Sequence, residues 1–464
     1  MPRDRNVSPA VDLRRLPDEL EQFLSRDAYS LVVKGKAGTG KTALALTILS
    51  KALQRQNCLY ISSRLAISEL FEYYPWVRDF VVVSEDKDEK PDEKTELAPF
   101  VDARLDEPQS LFERITNQLM DASSPLIVID TWDAVGDFMD KEALMTNAKI
   151  LQIWRQRARA KLIFVLESVE EVIFDNLVDG VIELEEGYVN HRRTRRIHLS
   201  KLRGVKIERP YSFFTLNQGV FHSFDQYDQL IWTNMSTTGI TNSLAGRPTS
   251  TNDGDSSNAV EDILNGRIPK HAIVNVEVDP TISSKSILPF ITRMIAGYSR
   301  KNDAMIVLVP PVGVTHEDID LLLNAFISNS RQRKRVEVLY QLATSKENRN
   351  GNLVQGLERI LARNKTKEKG HERLGVLMFD PLSDGSTTSE LNELVQTLIM
   401  GFDSSIIVTR STEKYQKVTE VSDVRLKIVE LEGNLFVQPE NPWANFYAIQ
   451  NEKNGEIISV RPMV

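Results

Sequence analysis

The sequence predicts an α/β chain of two tandem domains, each a mainly parallel sheet flanked by helices, with the second a degenerate copy of the first. Three observations predict it. Gly35-Lys36-Ala37-Gly38-Thr39-Gly40-Lys41-Thr42 stands between the apolar run Leu31-Val32-Val33 and the helix-favouring Ala43-Leu44-Ala45-Leu46, in the order strand, loop, helix. From there, apolar strand-like runs alternate with helical patterns, as parallel strands joined by covering helices require. After a stretch rich in Ser, Thr, Asn and Gly, the same landmarks begin again.

At 464 residues the chain exceeds the size at which one hydrophobic core keeps growing. The expected division is a first domain over 1–234, a flexible linker over 235–258 and a second domain over 259–464. Hydrophobic and charged contents of 41% and 26% are those of a soluble globular protein. A net charge of −8 argues against general polyanion binding and leaves room only for a local basic patch. The single cysteine, Cys58, excludes an intrachain disulfide, and its apolar neighbours make it a buried small hydrophobe. The six histidines show no zinc-ligand spacing. Met1-Pro2-Arg3-Asp4-Arg5 opens no signal-like apolar segment, and no run has membrane-spanning length. A soluble cytoplasmic protein with no membrane contact is the expectation.

In the first half, Leu31-Val32-Val33 is the opening strand and the helix after the loop begins near Thr42. Leu59-Tyr60-Ile61 follows as a strand, and Ser68-Glu69-Leu70-Phe71-Glu72 starts another helix. The charge-dense stretch 85–94 reads as an exposed loop. Residues 108–120 have a helical pattern. Pro125-Leu126-Ile127-Val128-Ile129-Asp130 is a buried strand ending in a carboxylate, and a helix over 141–159 leads to the strand Leu162-Ile163-Phe164-Val165-Leu166. Residues 181–224 read as hairpin-like β structure. The stretch 236–258 has too few large apolar side chains to offset the entropy of ordering.

Beyond it, Ala272-Ile273-Val274-Asn275-Val276 is a strand. It leads into Asp279-Pro280-Thr281-Ile282-Ser283-Ser284-Lys285-Ser286, which has the first loop's shape with its glycines replaced by Asp279 and Ser284. Met305-Ile306-Val307-Leu308, then Val376-Leu377-Met378-Phe379-Asp380, then Ile406-Ile407-Val408-Thr409 repeat the strand at Leu59, the strand ending in Asp130 and the strand at Leu162. Lys285 follows Lys41, and Asp380 follows Asp130, at nearly the same offset, the mark of an internal duplication. A carboxylate at position 279 would crowd and repel a phosphate, and Ser284 lacks glycine's conformational freedom. The second copy should not hold a nucleotide in the ordinary way.

The first loop has the chemistry of a phosphate cradle. Residues Gly35 to Thr42, with Ala43 opening the helix, form a nest of inward N–H groups joined to the positive end of the helix dipole. Lys41 would reach the β- and γ-phosphates of a nucleoside triphosphate, and the Thr42 hydroxyl would complete a Mg²⁺ shell. Asp130 stands where ligands of open α/β sheets bind and would hold the Mg²⁺ opposite Thr42. Hydrolysis also needs a water-positioning group, for which Glu167 is a candidate; it is equally placed to cap the helix that follows. The basic run His191-Arg192-Arg193-Thr194-Arg195-Arg196 reads as an exposed hairpin whose arginines pair with acidic residues rather than as a nucleic-acid patch, since no aromatic residues interleave with it.

These residues resemble the RecA superfamily, specifically its KaiC-like branch. The phosphate loop, the Asp130 strand and the stretch 179–216 carry the resemblance. In that last stretch the Arg-rich run, Lys201-Leu202-Arg203-Gly204 and Tyr211-Ser212-Phe213-Phe214-Thr215 keep the order KaiC-like proteins show. Tyr60-Ile61-Ser62-Ser63-Arg64 is similar to the second strand of the gas-vesicle regulatory GvpD type within that branch. The resemblance implies ATP as the nucleotide and assembly into a ring or dimer. It also implies that Lys201 and Arg203 reach the γ-phosphate of a neighbouring subunit. KaiC-like ATPases usually end the second strand with a glutamate pair that activates water; here Ser62, Ser63 and Arg64 stand there, so slow turnover is implied. Three functions compete on these grounds. They are a slow ATPase whose nucleotide state regulates assembly or a protein partner, a DNA-acting recombinase-like motor, and an interaction protein that binds ATP without hydrolysing it. The first accounts best for an intact loop without the glutamates.

Overall fold

The computed structural model describes residues 14–52, 58–83, 98–104, 108–121, 124–136, 141–167, 174–227, 271–311, 313–327, 329–340, 349–367, 371–378, 388–410, 415–451 and 458–464. The N-terminal pentapeptide, the charged stretch 85–94, the linker 235–258 and Asp380 lie outside those residues. The chain divides into two compact units, Met1–Asp225 with Met463–Val464, and Gln226–Pro462.

The first unit is built on a ten-stranded sheet. Its strands are β1 (Tyr29–Gly35), β2 (Cys58–Ser62), β3 (Val81–Val83), β4 (Ala98–Asp102), β5 (Leu126–Asp130), β6 (Lys161–Leu166), β7 (Gly180–Val189), β8 (Arg192–Leu202), β9 (Tyr211–Thr215) and β10 (His222–Ser223). The order is β10-β9-β8-β7-β1-β6-β5-β2-β4-β3. From β7 to β3 all neighbours are parallel, whereas β8, β9 and β10 turn back antiparallel as a meander. The helices are α1 (Asp18–Leu24), α2 (Lys41–Ala52), α3 (Ile67–Tyr73), α4 (Pro108–Asp121), α5 (Trp132–Gly136), α6 (Lys141–Ala158) and α7 (Phe174–Leu177).

The central strands are continuous apolar runs because both faces of the sheet are covered. Along β1, Leu31 and Val33 join one core cluster and Val32 the other. Along β5, Leu126 and Val128 face the α2 side, while Ile127 and Ile129 pack with Trp132 and Phe164. Each such side chain contributes roughly 1.5–3 kcal/mol on burial. That packing fixes the carboxyl ends of β1, β6, β5 and β2 at one edge, where the site stands.

The second unit has a nine-stranded sheet. It comprises β11 (Ile273–Val278), β12 (Met305–Val309), β13 (Val336–Val338), β14 (Arg373–Met378), β15 (Ser404–Arg410), β16 (Val424–Leu431), β17 (Asn434–Asn441), β18 (Tyr447–Asn451) and β19 (Ile458–Pro462). Read from its antiparallel end, the order is β19-β18-β17-β16-β11-β15-β14-β12-β13. Strand for strand this is the order of the first sheet without β3, and the parallel and antiparallel pairings fall in the same places. The two units are copies of one α/β topology. Both faces are again covered, with Val274 and Val276 in one cluster and Ile407 in the other.

Candidate nucleotide site

The loop between β1 and α2 takes its shape from glycine. Gly38 and Gly40 have φ of 81° and 102°, in the region L side chains avoid. A Cβ on Gly40 would also stand 2.7 Å from Leu216 Cδ1, so the close approach of the β9 connection excludes any other residue. Lys36, Ala37 and Gly38 form the exposed tip, while Thr39 and Lys41 are buried. The Thr39 hydroxyl donates to Lys36 O at 2.9 Å and closes the turn. Ala43 is buried in the core, which anchors the first turn of α2.

Lys41 folds back across the loop, its Nζ donating to Gly35 O at 2.7 Å and Lys36 O at 2.9 Å. Burial pushes its pKa down, against the pull of the Glu167, Asp130 and Asp133 carboxylates. An ammonium largely buried and held by two backbone carbonyls is poised for an anion that satisfies it better.

Asp130 closes β5 and is 5% exposed. Its Oδ2 accepts from Thr42 Oγ1 at 2.7 Å and from Tyr60 Oη at 2.7 Å. Burial raises its pKa above the ordinary carboxylate value, and the hydrogen bonds from Tyr60 and Thr42 only partly offset that. Thr42 and Asp130 thus present hard oxygen donors side by side, with an under-compensated negative charge between them. That set fits Mg²⁺.

Glu167 follows β6 at the same edge. The register pairs Lys34 with Leu166 and Asp130 with Val165, which seats Glu167 between the loop and the Asp130 strand. Its carboxylate is the one acting most strongly on Lys41. Its Oε1 is paired with Arg64 Nη1 at 2.5 Å. The two residues singled out separately in the sequence, the candidate base and the arginine replacing a glutamate, are therefore partners. The Glu167 amide donates to Asp133, so α5 holds the strand end from below.

Lys201 and Arg203 are not brought to the loop of their own unit. Gly180 of β7 lies level with Leu31 and Leu202, whereas Gly35 lies level with Leu184. Four strand steps, roughly 13 Å, separate the two levels. Lys201 Nζ donates to the carbonyls of Asp175 and Val178 at 2.9 and 2.8 Å. Arg203 pairs with the buried Asp179 at 3.0 Å, its side chain 61% exposed.

The basic run differs from its sequence reading. Arg193 and Arg196 do pair across the hairpin with Glu186 at 2.5 Å and Glu185 at 2.9 Å. Arg192 and Arg195 are buried instead of exposed. Arg195 Nη1 donates to Gly38 O at 2.9 Å and braces the loop tip. Four arginines in five residues read as one charged surface. The two buried ones, three residues apart, lie on opposite faces of β8, so no local alternation in the sequence sets them apart from the other two.

In the second unit the loop after β11 is closed from within. Arg410, the last residue of β15, donates from Nη1 to Asp279 O at 3.1 Å and Ile282 O at 2.5 Å, and from Nη2 to Ser284 Oγ at 2.5 Å. The Asp279 carboxylate accepts from Thr281 N and Oγ1 at 3.0 and 2.7 Å, and these bonds hold its pKa below the ordinary value. A cleft of ≈ 10 Å³ remains between Val278, Pro311 and Met378, room for about one water. The loop turns carbonyl oxygens toward a guanidinium, the reverse of a phosphate nest. Sequence reasoning missed Arg410, although an arginine closing the central strand just after Thr409 was its signal.

The fold and the first loop define a P-loop protein, with one intact and one degenerate copy of the phosphate-binding domain. Comparison with known proteins agrees: residues 20–201 match the family model described as GvpD gas vesicle protein, P-loop domain. The chain is similar to Protein GvpD1 of Halobacterium salinarum, 26% identical over 330 residues, which is 67% of this chain and 59% of that protein. It is also similar to Protein GvpD2 of the same organism, 24% identical over 337 residues, 67% of this chain and 65% of that protein. The chain spans about three fifths of the length of these curated relatives. Among the described residues, no helix is long and apolar enough to cross a membrane.

Proposed function

We propose that this chain is an ATP-binding, slowly ATP-hydrolysing regulatory protein in which the first unit holds Mg·ATP. In this reading its nucleotide state controls assembly with further copies or binding to a protein partner, in a role tied to gas vesicles, in line with the description of the matching family model. The observation that carries the reading is the 2.7 Å contact between Thr42 and Asp130 beside an intact loop. Those two residues would hold Mg²⁺, which supplies charge neutralisation on the β- and γ-phosphate oxygens. Lys41 leaves its two loop carbonyls for the phosphates. In hydrolysis, a water oxygen bonds to the γ-phosphorus while the bond to the β-bridging oxygen breaks, its electron pair leaving on ADP. In this reading Glu167 accepts the water's proton. Its pairing with Arg64 accounts for slow turnover and favours, as the second reading, binding without hydrolysis. Two of the arginines that would serve a nucleic acid are buried, which speaks against a DNA-acting motor.

Phosphate release from Mg·ATP, with Lys41→Ala as the blank, tests the proposal. Turnover abolished by that change is the expected result. Binding without turnover leaves the second reading, and neither binding nor turnover discards both.

A further inference from the structure

Arg64 reaches Glu167 across the end of β5. In the sheet, β5 lies between β2, which carries Arg64 two residues past its end, and β6, which carries Glu167. Strands about 4.8 Å apart put β2 and β6 roughly 10 Å from each other, so the ion pair is strapped over the edge that bears Asp130. Both partners act electrostatically on Lys41, with opposite sign. The pair is half-exposed, at 44% and 31% of side-chain surface, and exposed ion pairs are weak. A terminal phosphate offers a guanidinium three acceptor oxygens and more charge than a carboxylate does. Exchange of partners is therefore downhill once a triphosphate lies on the loop, and a diphosphate has no group to offer there.

We propose that Arg64 is a positioning residue that exchanges partners: it clamps Glu167 when the loop holds no triphosphate and turns to the γ-phosphate when ATP binds, releasing the Glu167 carboxylate toward the reacting water. This rests on the first unit binding ATP. It gives the site a means of telling ATP from ADP beyond the γ-phosphate contact expected of Lys41. It also makes opposite predictions for the two partners. Removing Arg64 takes away a contact made only to the triphosphate. Removing the charge of Glu167 takes away the competitor for that contact, and by linkage the triphosphate then binds more tightly.

The test is calorimetric titration of the full chain with Mg²⁺ and either ADP or a non-hydrolysable ATP analogue. Arg64→Gln should weaken the analogue by about tenfold or more, the size of a charge-assisted hydrogen bond, and leave ADP unchanged, with Arg64→Lys recovering part of the loss. Glu167→Gln should tighten the analogue by about two- to fivefold, the size of an exposed ion pair, and again leave ADP unchanged. An analogue-to-ADP ratio that Arg64→Gln does not move overturns the proposal, as does weaker analogue binding in Glu167→Gln. If the unaltered protein binds neither nucleotide, the ATP reading fails first and the exchange falls with it; if it binds both and only the ratio is insensitive, the exchange alone is wrong.

Discussion

Asp130 shows at the scale of one residue what a binding site costs a fold. Its carboxylate is buried, and its raised pKa means the folded state takes up a proton more readily than the unfolded chain. The stability this confers is present below the ordinary carboxylate value and is lost as pH rises through Asp130's own higher value. At neutral pH without Mg·ATP the buried carboxyl therefore costs the fold stability. Asp130→Asn keeps acceptors for Tyr60 and Thr42 and removes the charge. It should raise the melting temperature in metal-free neutral buffer by about 2–4 °C for each kcal/mol recovered, flatten the fall in stability with rising pH, and lose the stabilisation by Mg·ATP. Thermal unfolding of both proteins across that pH range checks this; a lower melting point for the variant contradicts it. Lys41, Thr42 and Asp130 were legible because fixed spacing and a strand-terminal carboxylate announce them. Tyr60 was not, since in sequence it is one more apolar residue of a strand, and its partner lies 70 residues away.

At the scale of elements, the strongest signals came from segments buried on both faces. The strands at 31–33, 126–129 and 162–166 read as unbroken apolar runs because helices cover both sides, and all three lie within observed strands. The short strands β3 and β4 were invisible, being three and five residues long on either side of a charged stretch. So were β17 to β19, whose pairing depends on partners outside any local window. The loop after β11 was legible as degenerate and illegible as filled, because Arg410 reaches it from 126 to 131 residues away. Arg410→Ala would leave Asp279 O, Ile282 O and Ser284 Oγ without their guanidinium donor. A loss of about 2–4 kcal/mol in the second unit is expected. Chemical denaturation should show that loss, with no gain of nucleotide binding; an unchanged midpoint would mean the arginine only decorates the loop.

At the scale of the molecule, Lys201 and Arg203 stand at the sheet end away from their own loop, so any action of theirs on a phosphate requires a second copy. If they act so, Mg·ATP should shift the chain toward a dimer or ring in light scattering, and Lys201→Ala with Arg203→Ala should depress turnover without changing nucleotide affinity. A monomer with and without Mg·ATP removes that role. The duplication was legible in sequence through the order of its landmarks, and the shared strand order, β3 aside, is the physical form of that repeat.

The inward guanidinium of Arg410 makes the divergence of the two copies hard to reverse. Glycines restored at positions 279 and 284 would recreate the letters of a phosphate loop around a seat already taken, with its peptide carbonyls facing the wrong way. Any lineage regaining a second nucleotide there would have to lose the arginine first and cross a less stable intermediate. The filled loop is in this sense a one-way step, keeping the shared topology while closing the route back to a phosphate cradle.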